Sequence, residues 1–411
     1  MPGVGRRVAL LSVHSCPFGR IGGKDTGGMS IYVREVAHEL GNQGFLVDIF
    51  TRRHGPEHGG VVELERNVCL VHLKAGPERP IDKIQVYDHL REFAGGLEEF
   101  RSRNGIHYDL IYSHYWLSGW AGAQVQQSWA VPHIMMFHTV GALKNAGGVG
   151  EPEPELRIES ERQLAKACER IIAPTEKEKG ELVSRYGALP ERIRVIPCGV
   201  NMDRFRPMDK KSARQRVGLG DEKVILYVGR IEPVKGIERL LRAASYLDND
   251  RGLRLVIIGG DEHARGEVER LKRLARDLHV EETVDFRGLV EHEALPHFYN
   301  AADVCAVASY YESFGLVALE SLACGTPVVA SDVGIMREII RRDEMGCVLA
   351  VDHNPSALAR ALAEHISRTA SDPFLIREGV SRFGWANIAR QVSEVFAEFG
   401  VQVRPVVPDP P

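Results

Sequence analysis

The sequence predicts an α/β protein made of two successive doubly wound domains, and three observations carry that expectation. Short β-branched runs alternate with amphipathic stretches along nearly the whole chain, the pattern of parallel sheets covered by helices. The alternation pauses once, around Pro197-Cys198-Gly199-Val200-Asn201, and Arg206-Pro207 closes an irregular link before a second series begins. At 411 residues the chain also exceeds what one ordinary core accommodates.

In the first series, strands are predicted at Val8–Val13, Leu46–Thr51, Val68–Leu73, Leu110–Ser113, His133–Phe137, Arg170–Ala173 and Arg194–Ile196. Helical patterns lie between them at Gly28–Asn42, Ile84–Arg103, Ser118–Trp129 and Glu155–Ala167. The second series has strands at Val224–Val228, Leu253–Ile258, Thr283–Phe286, Val304–Ala306, Val328–Ala330 and Cys347–Leu349. These spans divide the chain into residues 1–197, a second domain over 198–384, a terminal helix within 385–400 and a proline-rich tail, 401–411, expected to be disordered.

Composition excludes several classes. Lysines and arginines number 52 against 56 acids, a net charge of −4, so nothing points to nucleic acid as the main partner. No run approaches the ~20 apolar residues of a membrane span. The apolar stretch before His14 is short and is followed by glycines and charges, so it reads as a buried strand rather than a secretory signal. Seven cysteines without C-x-x-C spacing read as reduced core thiols of a cytoplasmic protein.

Three loops at the carboxyl ends of predicted strands carry the candidate chemistry, because open α/β sheets bind ligands there. Gly22-Gly23-Lys24-Asp25-Thr26-Gly27-Gly28 leads into an amphipathic helix, and glycines at a helix start let backbone N–H groups approach an anion. The spacing is neither a Walker A loop nor G-x-G-x-x-G. Gly229-Arg230-Ile231-Glu232-Pro233-Val234-Lys235-Gly236 follows a strand and offers two cations able to straddle a diphosphate. Glu312-Ser313-Phe314-Gly315-Leu316-Val317-Ala318-Leu319-Glu320 holds two carboxylates eight positions apart, the second on the helix that Gly315 opens.

Taken with their order, these motifs resemble those of retaining glycosyltransferases with the E-x7-E signature, a family with the GT-B fold of two Rossmann-like domains facing a cleft. Asp25-Thr26-Gly27-Gly28, His138-Thr139, Gly229-Arg230…Lys235-Gly236 and Glu312…Glu320 match in sequence order over about residues 7 to 400. The resemblance implies transfer of a hexosyl unit from a nucleoside-diphosphate sugar, UDP-glucose or UDP-N-acetylglucosamine first. It implies that Arg230 and Lys235 hold the diphosphate, approached also by Gly27, Gly28 and Gly229. Glu312 would bind the sugar hydroxyls, with Phe314, Gly315 and Leu316 aimed at sugar and diphosphate. Glu320 would bind the ribose, Gly288 and Leu289 would lie by the base, and His138 would contact the sugar from the opposing domain. It further implies that the terminal helix crosses back to the first domain. No protein general base, cofactor or metal is expected; Asp248-Asn249-Asp250 reads as a turn.

Lys83, Tyr115, Thr139, Lys144 and Arg157 resemble the acceptor-phosphate site of members that glycosylate sugar or inositol phosphates. Met29, Ser30 and Gly334-Ile335 depart from individual branches and leave the acceptor's identity open. The alternatives are a lipid- or polysaccharide-directed transferase at the membrane surface and a nucleotide-sugar 2-epimerase on the same scaffold. Oligomeric state stays open, a homodimer included.

Overall fold

The computed structural model describes residues 5–19, 26–55, 59–146, 148–149, 151–247, 252–351, 354–368 and 371–403. Gly22 to Asp25, the Asp248-Asn249-Asp250 turn and residues 404–411 lie outside the described residues.

The first half contains β1 (Arg7–Leu11), α1 (Gly28–Asn42), β2 (Leu46–Arg52), β3 (Gly60–Glu65), β4 (Val68–Leu73), α2 (Lys83–Tyr87), α3 (Leu90–Arg103), β5 (Leu110–His114) and α4 (Tyr115–Trp129). It continues with β6 (His133–Met136), α5 (Gly141–Ala146), α6 (Glu155–Ala167), β7 (Arg170–Ala173), α7 (Glu176–Tyr186) and β8 (Ile193–Val195). These strands form one eight-stranded sheet in the order β3-β4-β2-β1-β5-β6-β7-β8. Only β3 runs antiparallel within it.

The second half contains α8 (Lys210–Val217), β9 (Lys223–Val228), α9 (Ile237–Ala244), β10 (Leu253–Ile258), α10 (Arg265–Asp277), β11 (Val284–Gly288), α11 (Leu295–Ala301), β12 (Val304–Val307) and α12 (Leu316–Ala323). Then come β13 (Val328–Ser331), α13 (Met336–Ile339), β14 (Gly346–Leu349), α14 (Pro355–Ser367), α15 (Pro373–Glu378) and α16 (Trp385–Ala397). Its six-stranded parallel sheet has the order β11-β10-β9-β12-β13-β14. The fold is the expected pair of doubly wound domains.

Sequence and packing agree on why these elements form. Central strands such as β1 and β9 are near-continuous apolar runs because helices bury both their faces. The last helix buries Trp385, Ile388, Ala389, Val392, Val395 and Phe396, a stripe at helical spacing. That stripe crosses back to the first domain: Phe396 meets Phe45 and Tyr112 edge-on, with ring centroids 5.8 and 5.7 Å apart, and Trp385 meets Tyr32 at 5.5 Å. The Val200 N–H donates to the Phe383 carbonyl, 2.8 Å, so the link into the second domain is tied to the return crossing.

Three details differ from the sequence reading. Strand β3 was not anticipated; Val61 and Val62 are both exposed on this edge, so no alternation of burial marks it. The Ile84–Arg103 helix is two helices, α2 and α3, broken at Asp88-His89, where the His89 ring packs on Gly76. Within the expected disordered tail, Val401 is buried against the core.

Candidate active site

The carboxyl edges of the two sheets face one another across a cleft of about 800 Å³ lined from both domains. Of the predicted site residues, Gly27, Gly28, Lys83, Tyr115, His138, Thr139, Lys144 and Arg157 line it from the first domain. Gly229, Arg230, Lys235, Leu289, Glu312, Phe314, Gly315, Leu316 and Glu320 line it from the second. Gly288 does not: it ends β11 with its carbonyl accepting from the Gly259 N–H, 2.8 Å, so its backbone serves the sheet.

In the second domain, strand order reverses between β9 and β12, and the loops after those two strands supply the charged groups, as expected at a topological switch point. Lys235 Nζ donates to Glu312 Oε1 at 2.7 Å, and Ser309 Oγ donates to the same oxygen at 2.8 Å. Arg230 pairs with Glu232 at 2.7 Å on the rim. The Lys235 loop depends on Gly236, whose φ is +70° and whose added Cβ would fall 2.0 Å from the Ala308 carbonyl oxygen. Helix α12 starts at Gly315, φ +115°, without a side-chain cap, which leaves its first N–H groups to the cleft. Across the gap α1 also starts uncapped, and a Cβ on Gly28 would lie 3.2 Å from Leu316. Two helix N-termini therefore face the same cleft as Arg230 and Lys235, a combination suited to a polyanion.

Glu320 is buried and both its oxygens are engaged. Tyr299 Oη donates to Oε2 and His292 Nε2 lies against Oε1, each at 2.8 Å. Neither partner was singled out from the sequence.

The first-domain side is more self-compensated than expected. Arg157 is only 2% exposed. Its Nε donates to Glu161 Oε1 (2.7 Å) and its Nη2 to the Thr139 carbonyl and hydroxyl (2.8 and 2.9 Å). Its Nη1 pairs with Glu153 (2.8 Å), and its Cζ lies over the Tyr115 ring, 4.8 Å from the centroid. Lys144 also pairs with Glu153. That one carboxylate is shared by the two cations. Burial disfavours its charge, yet Arg157 and Lys144 hold its pKa below the ordinary value. Glu153 lines the cleft but carried no sequence signal beyond its place in Glu151-Pro152-Glu153-Pro154.

His138 and Tyr115 occupy the left-handed region, φ 61° and 74°, at the ends of β6 and β5. Such strain costs about 1–3 kcal/mol and persists only where surrounding structure imposes it. His138 Nε2 lies 2.9 Å from His114 Nδ1, and burial lowers the His138 pKa to about 3. His14, also missed, packs against Tyr115 with the rings tilted by 38° and centroids 4.4 Å apart. Burial first, then Lys83, Arg157 and His138, drive its pKa well below the usual value. His14 and His138 line the cleft, and His114, fully buried behind them, has its pKa lowered by burial as well.

Among the described residues no group of three or more His, Cys, Asp or Glu is placed to hold a metal ion, and no helix is long and apolar enough to cross a membrane. The seven cysteines are free thiols, five of them buried.

Comparison with known proteins agrees with this geometry. Residues 26–204 match the family model Glycosyltransferase Family 4, and residues 209–373 match Glycosyl transferases group 1. The D-inositol 3-phosphate glycosyltransferase 2 of Catenulispora acidiphila is 41% identical, covering 97% of this chain and 96% of its own. The D-inositol 3-phosphate glycosyltransferase of Thermobispora bispora is 39% identical over 98% and 97%. Among solved structures, the sucrose-phosphate synthase of Thermosynechococcus elongatus superposes with a TM-score of 0.85 at 33% identity, covering 96% of this chain and 99% of that one. With a facing pair of Rossmann-like domains, a cleft lined from both and relatives aligned end to end, this chain belongs to the GT-B glycosyltransferases.

Proposed function

We propose that the protein is a retaining hexosyltransferase that moves a sugar from a UDP-sugar, UDP-glucose or UDP-N-acetylglucosamine, to a phosphorylated small acceptor, an inositol phosphate or a sugar phosphate. The observation that carries this reading is the division of the cleft. One wall has Arg230, Lys235 and the α12 N-terminus around Glu312 and Glu320; the other has Lys83, Lys144, Arg157, Tyr115 and Thr139. The names of the curated relatives support a phosphorylated cyclitol, and that of the sucrose-phosphate synthase a phosphorylated product.

In this reading the bond between the anomeric carbon and the diphosphate oxygen breaks, leaving negative charge on the diphosphate and positive charge on the ring. Arg230, Lys235 and the helix dipole stabilise the former from fixed positions, where such groups contribute most. The acceptor oxygen bonds the anomeric carbon on the face the diphosphate leaves, and its proton passes to a donor phosphate oxygen. His138 binds the sugar rather than acting as the base, because an imidazole with a pKa of about 3 is a poor proton acceptor at neutral pH. No metal is assigned a role in the step.

The test is a product screen by mass spectrometry crossing UDP-glucose, UDP-N-acetylglucosamine and GDP-mannose with inositol phosphate, fructose 6-phosphate and unphosphorylated sugars, with and without chelator. One phosphorylated disaccharide-type product is expected, with the anomeric configuration of the donor kept. Lys235→Ala should lower kcat by at least about a hundredfold, the usual cost of one fixed charge-stabilising donor. Full activity in that variant, an absolute divalent-ion requirement, or conversion of the donor with no acceptor present would overturn the reading.

A further inference from the structure

The linker between the sheets reaches into the donor site. Arg204 Nη1 lies 3.1 Å from His292 Nδ1, whose Nε2 lies 2.8 Å from Glu320 Oε1. A guanidinium has only donors, so His292 Nδ1 must be the accepting nitrogen. The ring proton then sits on Nε2, and His292 donates to Glu320. The other neutral tautomer would set an N–H against Arg204 and a lone pair against the carboxylate, repulsive at both ends. His292 is buried against the Phe205 ring, with centroids 5.2 Å apart, so water has little room to replace either contact.

Arg204 is itself held in place. Its backbone N–H donates to Asn201 Oδ1, 3.0 Å, and Asn201 Nδ2 donates to Glu35 Oε2 on α1, 3.2 Å. The Arg204 guanidinium lies 3.9 Å from Glu35 Oε1 and 3.8 Å from Glu293 Oε1. A chain of contacts therefore runs from a helix of the first domain through the linker to a carboxylate of the second.

We propose that Arg204 is a positioning residue for the donor site: by donating to His292 Nδ1 it selects the tautomer whose Nε2–H orients Glu320 toward the nucleotide ribose. The inference rests on the donor reading given above. With Tyr299 Oη on Oε2 and His292 on Oε1, the carboxylate is pinned on both oxygens and presents its remaining lone pairs to the cleft. The charged and titratable groups around His292 are Arg204 from the linker, Glu320 from α12, Tyr299 from α11 and Glu293 beside it, with Glu35 of α1 behind Arg204.

The experiment measures UDP affinity by calorimetry for the parent, Arg204→Met and Arg204→Lys at one pH. Arg204→Met should bind about tenfold more weakly than the parent, the scale of one hydrogen bond to a charged group. Arg204→Lys keeps a donor and should restore binding to the parent's level, a rescue that a merely structural role would not give. Nitrogen-15 NMR of the parent should find the His292 proton on Nε2, a measurement that needs no variant. A proton on Nδ1, an Arg204→Met variant that binds UDP as tightly as the parent, or an Arg204→Lys variant no better than Arg204→Met would overturn the proposal while leaving the donor reading intact. A parent that binds no UDP would bring down the donor reading and this inference together.

Discussion

Glu178→Gln should stabilise the protein, and by an amount that grows with pH. Glu178 sits in the first turn of α7, follows the Thr175 cap and is 3% exposed, with its Oε1 buried and without a hydrogen-bond partner. Burial, reinforced by the nearby charge of Glu161, raises its pKa from 4.5 to about 8. Below pH 4.5 folded and unfolded chains both carry the proton, and stability is unaffected. Between 4.5 and 8 the unfolded chain gives up the proton while the folded one keeps it, so stability falls as pH rises. At about 1.4 kcal/mol per unit, the loss by pH 7 is about 3 kcal/mol, flattening above pH 8 where the folded side chain ionises too. Glutamine keeps the shape and cannot ionise, so the variant escapes that loss. Urea unfolding of both proteins at pH 4.5, 6, 7 and 8.5 reads the difference directly, because every other titrating group cancels. A gap that stays constant with pH would show that the Glu178 carboxyl is not held protonated in the folded state.

The remaining predictions concern the cleft and its supports. Glu153→Gln removes the carboxylate facing Lys144 and Arg157, and the KM for a phosphorylated acceptor should fall several-fold with little change in the donor's; a raised acceptor KM would mean that Glu153 chiefly orients the two cations. Arg157→Met leaves Glu161, 0% exposed, without its cation, and should cost about 3–5 kcal/mol in denaturant unfolding, as breaking a buried pair does. Gly236→Ala forces a Cβ to within 2.0 Å of the Ala308 carbonyl at φ +70°, so it should lower stability by more than about 2 kcal/mol and reduce donor affinity. A variant with parental melting temperature and donor affinity would refute that account of the Lys235 loop.

Local pattern encodes one part of this structure directly. An apolar run such as Val224–Val228 is buried on both faces wherever it lies in a parallel sheet, and α1 could be read at Gly28–Asn42 because glycines open it and an apolar stripe persists through it. The cleft-lining loops were legible for a related reason: Gly27-Gly28, Gly229-Arg230 and Gly315 stand where strands end and helices begin, the edge at which open α/β sheets form their crevices. Strand β3 escaped because an exposed edge carries no alternation, and the α2–α3 break because its cause, the packing of His89 on Gly76, lies thirteen residues upstream. Tertiary structure alone decided who meets whom. Glu153 against Lys144, His114 against His138, and Arg204 against His292 are contacts between segments that share no periodicity. Their charges and tautomers follow from burial and from neighbours that only the folded chain supplies. The sequence could therefore place these charged residues on loops that line the cleft. The pairing of Lys144 and Arg157 with Glu153, and of Lys235 with Glu312, was decided by packing within each domain.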